Sequence, residues 1–243
     1  MSGGERFLQL LAPHDEGYGP KLPISINAQL EFQDIDGNGT TELLFPRKGR
    51  HFYCTSGPHR IPKDINMWGA DSYRYVWTDP GTPEYIFQAA FDGDYCAELG
   101  LYQQSEKAYR KAISDSALKS FTFYGDGCGN PEYWEPDDPQ TILAYARFRL
   151  LELLVYLKEW NAAQVEWNYL SGTYTQETPG YWYSVLAGVF WDAYQTENDI
   201  EKACEAVEKM AAQNSREIFN PLYFGTLNPG PTLDTICPFT SAS

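Results

Sequence analysis

The sequence predicts an α+β protein: a small N-terminal antiparallel β part over residues 1–83, followed by α-helical hairpins over residues 84–243. Three observations predict it. Apolar residues alternate with other residues on both sides of an Asp/Asn/Gly-rich turn, which is the period of a strand pair. Tyr73, Tyr75 and Trp77 alternate in the same way. After Pro83 the apolar period lengthens to about three and a half residues, as in packed helices.

Residues 1–28 carry a weak signal. Arg6 to Leu11 fit a short helix or a short strand, and Pro13, Gly17, Gly19, Pro20 and Pro23 then punctuate the chain. Residues 24–32 and 41–45 read as strands, with Leu30 and Phe32 before the turn and Leu43 and Phe45 after it. Between them, oxygen-bearing side chains stand at Asp34, Asp36, Asn38 and Glu42. Hard cations such as calcium take roughly six to eight oxygens from short carboxylates, amides and backbone carbonyls. With Asp34 as the first position, Gly39 falls at the sixth, where such a loop turns sharply, and the Thr40 carbonyl falls at the seventh. Phe45 occupies the twelfth, so the bidentate Glu that closes a helix-loop-helix site is missing. This spacing predicts a calcium loop joining two strands. A plain hairpin turn without metal is the alternative, because Asp, Asn and Gly favour turns anyway.

The run Asp34-x-Asp36-Gly37-Asn38-Gly39-x-x-Glu42 resembles the signature of FG-GAP/VCBS-type repeats, the calcium hairpins of integrin-like propellers and many secreted bacterial proteins. The resemblance covers about twenty residues. It implies that Asp34, Asp36, Asn38, Thr40 (through its backbone) and Glu42 are metal ligands and that calcium is the cofactor.

Residues 51–54 read as another short strand, and Pro58, Pro62 and Gly69 make the following stretch loop-like. Tyr73, Tyr75 and Trp77 mark a strand with one aromatic face, and Asp79 to Pro83 close the β part. Helices are then expected at 84–99 and 103–114, at 141–157 with a partner from Trp160 to Leu170, and at 180–195 and 199–213. Gly93, Gly100-Leu101-Tyr102, Ser105, Tyr109 and Ala112 resemble a tetratricopeptide unit, in which a small residue lets two helices approach closely. Ser105 stands where that family has Ala, and Cys96 where it has an aromatic. Aligning Ser105, Ala163 and Ala203 gives spacings of 58 and 40 residues, against about 34 in the basic repeat. The match is therefore degenerate, with insertions.

The insertion from Ser120 to Gln140 carries Glu132, Tyr133, Trp134, Glu135, Asp137 and Asp138. Aromatics beside carboxylates can line a sugar cleft, and glycosidases need only two carboxylates. A solvated acidic loop is the plainer reading. Asp92 and Asp94 read as charges on a helix surface. The aromatics from Trp160 to Tyr194 read mainly as core, with some available to line a partner-binding face. The tail from Asn220 to Phe239 keeps Leu, Tyr, Phe and Cys among its Pro and Gly, so it should pack back on the helices. Cys237 is expected to pair with Cys204.

Composition bounds the function. The chain has 33 acidic and 18 basic residues, a formal charge of −15. Phosphate would repel it, so nucleic acid is not an expected partner, and an anionic membrane surface is disfavoured. No apolar run spans a bilayer; Ile142 to Leu157 is interrupted by Arg147 and Arg149. The N-terminus does not open a signal peptide. Either the protein is cytoplasmic or its leader lies outside this sequence. Five widely spaced cysteines suit one or two long-range disulfides in an exported protein, with at least one left unpaired within the chain, and lean toward the second option; from spacing alone they suit buried free thiols equally well. Only His14, His51 and His59 are available as imidazole bases, and nucleophile-elbow, zinc-helix and nucleotide-loop motifs are missing.

The combination of calcium hairpin, Tyr/Trp strand, degenerate hairpins and terminal Cys-Pro-Phe resembles exported bacterial proteins of a Chloroflexota type, with FG-GAP-like and tetratricopeptide-like parts. That resemblance implies architecture more than activity. The expected function is a non-enzymatic, extracytoplasmic, calcium-binding scaffold whose helices present a surface to a protein partner. Two alternatives remain: a carbohydrate-binding or glycan-processing module using 120–140, and a subunit of a larger extracellular assembly.

Overall fold

The computed structural model describes residues 6–14, 17–26, 31–34, 39–46, 57–58, 60, 62–69, 72–121, 139–228 and 230–239. The chain is α+β, with antiparallel strands N-terminal to a set of helices. Contacts divide it into two compact units: Met1–His51 with Arg60–Thr82, and Phe52–His59 with Pro83–Ser243. Sequence pattern alone groups 52–59 with the strands. The described part of that segment shows why it belongs with the helices: the Pro58 carbonyl accepts hydrogen bonds from Gln88 Nε2 at 3.3 Å and Asn228 Nδ2 at 3.0 Å.

In the first unit, β1 (Arg6–His14) and β2 (Gly17–Ile26) form an antiparallel pair, with Arg6 opposite Ile26. The helix option at Arg6 to Leu11 is thereby overturned, and of the punctuating residues Pro13 lies within β1 and Gly17, Gly19, Pro20 and Pro23 within β2. A separate four-stranded antiparallel sheet runs in the order β3 (Glu31–Gln33), β4 (Glu42–Pro46), β5 (Lys63–Gly69), β6 (Ser72–Asp79). Successive side chains on a strand point to opposite faces. Glu42, Leu43 and Leu44 are all buried, so β4 is covered on both sides.

β5 corrects the loop expected between Pro58 and Gly69. Ile65 and Met67 alternate with Asp64 and Asn66, but Pro62 and Gly69 at the ends obscure that signal. A register irregularity between Ile65 and Asn66 lets β5 pair Ile65 with Trp77 and Trp68 with Tyr73. The strand expected at 51–54 lies outside the described residues. β6 ends in an Asx turn, where Gly81 N–H donates to Asp79 Oδ1 at 2.8 Å and Gly81 adopts φ +80°.

The second unit consists of helical hairpins. α1 (Ile86–Glu98) pairs with α2 (Tyr102–Ser114), α3 (Gln140–Tyr156) with α4 (Trp160–Thr173), and α5 (Tyr181–Glu197) with α6 (Ile200–Gln213). α3 also packs on α1, α2 and α5. The short α7 (Ser215–Phe219) follows.

The three hairpins share one turn design. Gly100, Lys158 and Asn198 each take a left-handed backbone, at φ +73°, +64° and +51°. Five residues later, Ser105, Ala163 and Ala203 are fully buried, and each donates its N–H four residues back, to Leu101, Glu159 and Asp199. The left-handed residues are spaced 158−100=58 and 198−158=40 apart, the same offsets as the three small residues. Left-handed residues end helices because they let the chain turn back on the last carbonyls. Glycine takes that conformation without cost, whereas lysine does so at about 1–2 kcal/mol.

Gly93 sits where α1 and α2 cross. A Cβ added there would lie 2.3 Å from Tyr109 Cε1, and Ser105 Oγ donates to the Gly93 carbonyl at 2.8 Å. In an exposed helix Ala is favoured over Gly by about 1 kcal/mol. Here overpacking, typically about 1–3 kcal/mol, outweighs that preference. Gly93→Ala is therefore expected to lower unfolding stability by about 1–2 kcal/mol in denaturant titration; a stabilised variant would show that the helices are not in close contact.

Candidate functional site

Two regions concentrate chemistry. The first is the β3–β4 hairpin. Gln33 lies opposite Glu42 in the ladder, so Asp34 leaves the strand at the mouth of the loop. Asp34 Oδ2 accepts a 3.0 Å hydrogen bond from Gly39 N–H, folding the first carboxylate across the loop. Gly39 adopts φ +83°, the left-handed turn expected at the sixth loop position. Asp34 and Thr40 are exposed, whereas Glu42, the first residue of β4, is 1% exposed. Asp36 and Asn38 lie outside the described residues. Among the described residues, no three of His, Cys, Asp or Glu gather into a group that could hold a metal. The described members of the ligand set are two carboxylates, Asp34 and Glu42, with Thr40 between them.

The second region runs against expectation. Asp94, expected as a helix-surface charge, is the meeting point of three helices. It accepts from Tyr109 OH at 2.7 Å, Tyr145 OH at 2.6 Å and Arg149 Nε at 2.9 Å. Arg149 is completely buried. Its Nη1 donates to Glu152 Oε2 at 2.7 Å and to the Ile236 carbonyl at 2.6 Å, and its guanidinium lies 5.4 Å from the centre of the Phe239 ring. The network thus links α1, α2, α3 and the tail. The signal available in the sequence is Arg149 itself, an arginine in the middle of an apolar helix with Glu152 one turn away.

Burial works against the Arg149 charge, but Tyr109, Asp94, Glu152 and Tyr145 around it more than offset that, and it stays protonated. Burial pushes Glu152 up from 4.5 to about 8; Arg149 opposes the shift and Asp94 adds to it. Tyr109 and Tyr145 are raised mainly by burial and stay neutral donors. Perturbed groups mark catalytic sites when they line a cleft. Arg149 and Glu152 are sealed from solvent, so this cluster joins helices and is closed to a substrate.

Arg147, two residues away, makes a second clamp. It pairs with Glu166 of α4 at 2.7 Å and stacks on Tyr169 at 3.6 Å. Leu222, Phe224, Ile236, Cys237 and Phe239 of the tail are buried, and Phe224 stacks on Phe87 at 4.3 Å. Cys204 of α6 is joined to Cys237 by a disulfide, beside the Ile236 carbonyl that Arg149 holds. Cys96 is a free, half-buried thiol raised by burial and by Asp92.

The remaining sequence candidates are placed as follows. Trp191 is buried, whereas Trp160 is 41% exposed and stacks on Tyr194 with ring centres 5.3 Å apart. Val165 and Tyr169 are exposed one turn apart on α4. Glu132, Tyr133, Trp134, Glu135, Asp137 and Asp138 lie outside the described residues, as do His51 and His59. Among the described residues no helix is long and apolar enough to cross a membrane. No family model matches the sequence, and no curated protein or solved structure matches it.

Removing Arg149 leaves Asp94 and Glu152 without their cation, and breaking a buried pair in this way costs about 3–5 kcal/mol. Arg149→Ala should lose about that much in urea unfolding. Glu152 binds its proton more tightly in the folded state, so its contribution is fully present below its unfolded value near 4.5 and is lost as pH rises through about 8. Between about pH 5 and about pH 8 the wild type should lose stability by at most about 1.4 kcal/mol per pH unit from this group. Glu152→Gln should remove that slope. An unchanged slope in the variant would place the proton elsewhere.

Proposed function

We propose that this chain is a non-enzymatic, extracytoplasmic scaffold in which a calcium ion stiffens the β3–β4 hairpin and the helical hairpins present a surface to a protein partner. The observation that carries the reading is the geometry of the loop. Asp34 is folded over Gly39, Gly39 is in the left-handed turn, and Glu42 is buried at the start of β4 at the far end. Asp34, Asp36, Asn38 and Glu42 would supply side-chain oxygens and Thr40 a backbone carbonyl. The ion would supply the positive charge that lets several carboxylates share one turn.

Two further observations support the setting. The Cys204–Cys237 disulfide closes the tail onto α6, and such bonds persist in oxidising compartments. Val165 at 64% and Tyr169 at 43% exposure give α4 an apolar outer edge; exposed apolar patches mark interaction surfaces. The acidic balance of 33 to 18 suits a calcium-containing medium.

Thermal unfolding with calcium chloride and with chelator tests the reading. At free calcium about 100-fold above Kd, binding to the folded state alone adds about 2.7 kcal/mol. The wild type should melt higher in calcium, and the double substitution Asp34→Ala/Asp36→Ala should abolish the difference. Equal melting in calcium and chelator would reduce residues 34–42 to an ordinary turn.

A further inference from the structure

A pocket of about 260 Å³ opens at the N-terminal end of α5. Thr141 of α3, Gln176 and Thr178 of the preceding loop, Tyr181 and Trp182 of α5, and Glu217 of α7 line it. None of these belongs to the calcium loop or to the buried Arg149 network. We propose that this pocket binds one ring of an uncharged saccharide.

The pocket is preformed. Gly180, which opens α5, adopts φ +88°, and a Cβ there would lie 2.6 Å from Ala144 Cβ and 3.0 Å from the Gln140 carbonyl. The turn therefore lies directly on the start of α3. Tyr183 O–H donates to the Ile218 carbonyl, which ties α5 to α7 and holds Glu217, one residue earlier, beside the opening. Thr178 is fixed by its N–H and its hydroxyl, both donating to the Thr175 carbonyl at 2.9 and 2.8 Å. A site whose walls are already in place spends little binding energy on ordering.

The lining selects the chemistry. Tyr181 and Trp182 stand side by side, with ring centres 5.6 Å apart and planes tilted by 56°. Aromatic faces bury the C–H faces of a sugar ring, while their polar edges stay available. Hydroxyls on Thr141 and Thr178, the Gln176 amide and the Glu217 carboxylate offer both donors and acceptors, which is what a ring of hydroxyl groups requires. Among the described residues the lining contains no Lys, Arg or His, so a phosphate or carboxylate ligand would find no counter-charge there and would face Glu217. An ammonium ligand would meet the exposed Glu217 and the faces of Tyr181 and Trp182, but it would leave the hydroxyls of Thr141 and Thr178 and the Gln176 amide unused, so choline is the discriminating probe. Drug-sized ligands occupy pockets of roughly 300–1,000 Å³. The smaller volume here suits a single ring, with any further residues of the glycan in solvent.

Calorimetric titration of the full chain with methyl glucoside, methyl galactoside, methyl xyloside and N-acetylglucosamine tests the proposal. Choline and inorganic phosphate serve as charged probes. At least one of the four saccharides should bind saturably. Trp182→Ala should abolish that binding. Gln176→Ala and Glu217→Gln, both at exposed positions whose melting should not change, should each weaken it roughly tenfold. The proposal is overturned if no saccharide binds, if choline or phosphate binds more tightly, or if Gln176→Ala and Glu217→Gln leave binding unchanged. Binding that survives Trp182→Ala but is lost in Trp134→Ala also overturns it and moves the glycan site to 120–140.

Discussion

The helical unit depends on one buried cation. Arg149 sits in the middle of α3 with no access to water, and its charge is stabilised by the Asp94 carboxylate of α1 and by hydrogen bonds to Glu152 Oε2 of its own helix and to the Ile236 carbonyl. Each neighbour is in turn committed. Asp94 takes hydroxyl donors from Tyr109 and Tyr145, so α1, α2 and α3 meet at one carboxylate. The second guanidinium nitrogen reaches the Ile236 carbonyl, and the adjacent Cys237 is bonded to α6. A buried pair of this kind is costly to break but gives modest net stability. Its consequence here is geometric: the tail and the first two helices are held to fixed points on α3.

The architecture is legible in the sequence wherever local chemistry and packing agree. Helices end where Gly100 and Asn198 turn left-handed, and the offsets among Ser105, Ala163 and Ala203 recur in the turn residues before them. Gly93 is recognisable as a close-approach position because no side chain fits against Tyr109. The Cys204–Cys237 bond joins two buried residues that the chain already brings together. The elements that escape a sequence reading do so for equally local reasons. β5 is polar at Lys63, Asp64 and Asn66 and bounded by Pro62 and Gly69, so its three apolar residues, Ile65, Met67 and Trp68, are too few to announce a strand. β1 and β2 contain glycines and prolines that ordinarily mark loops.

The Asp94 network escapes for a different reason. A carboxylate on a helix is usually solvated, and its burial depends on Tyr145 and Arg149, 51 and 55 residues away. No periodicity within α1 reports such partners. Arg147 and Arg149 are visible as interruptions of an apolar run, but their destinations, Glu166 with Tyr169 in one case and Asp94 with Glu152 in the other, are set by tertiary packing. The β3–β4 loop is the opposite case. Its alternation of oxygen-bearing side chains is local, so the positions of Asp34, Gly39 and Glu42 are legible from the sequence alone. The pocket at the start of α5 combines residues from α3, a loop and α7 with the first turn of that helix, so only three dimensions bring it together.

The measurement that bears most directly on this account is a double-mutant cycle between Asp94 and Arg149. Unfolding free energies would be determined for wild type, Asp94→Ala, Arg149→Met and the double variant. A buried hydrogen-bonded pair predicts a coupling well above about 1 kcal/mol, with the double variant more stable than the two single losses imply, because neither charge is then left alone. Losses that add within about 0.5 kcal/mol would contradict it: Arg149 and Asp94 would then act independently, and the helices would be held by apolar packing alone.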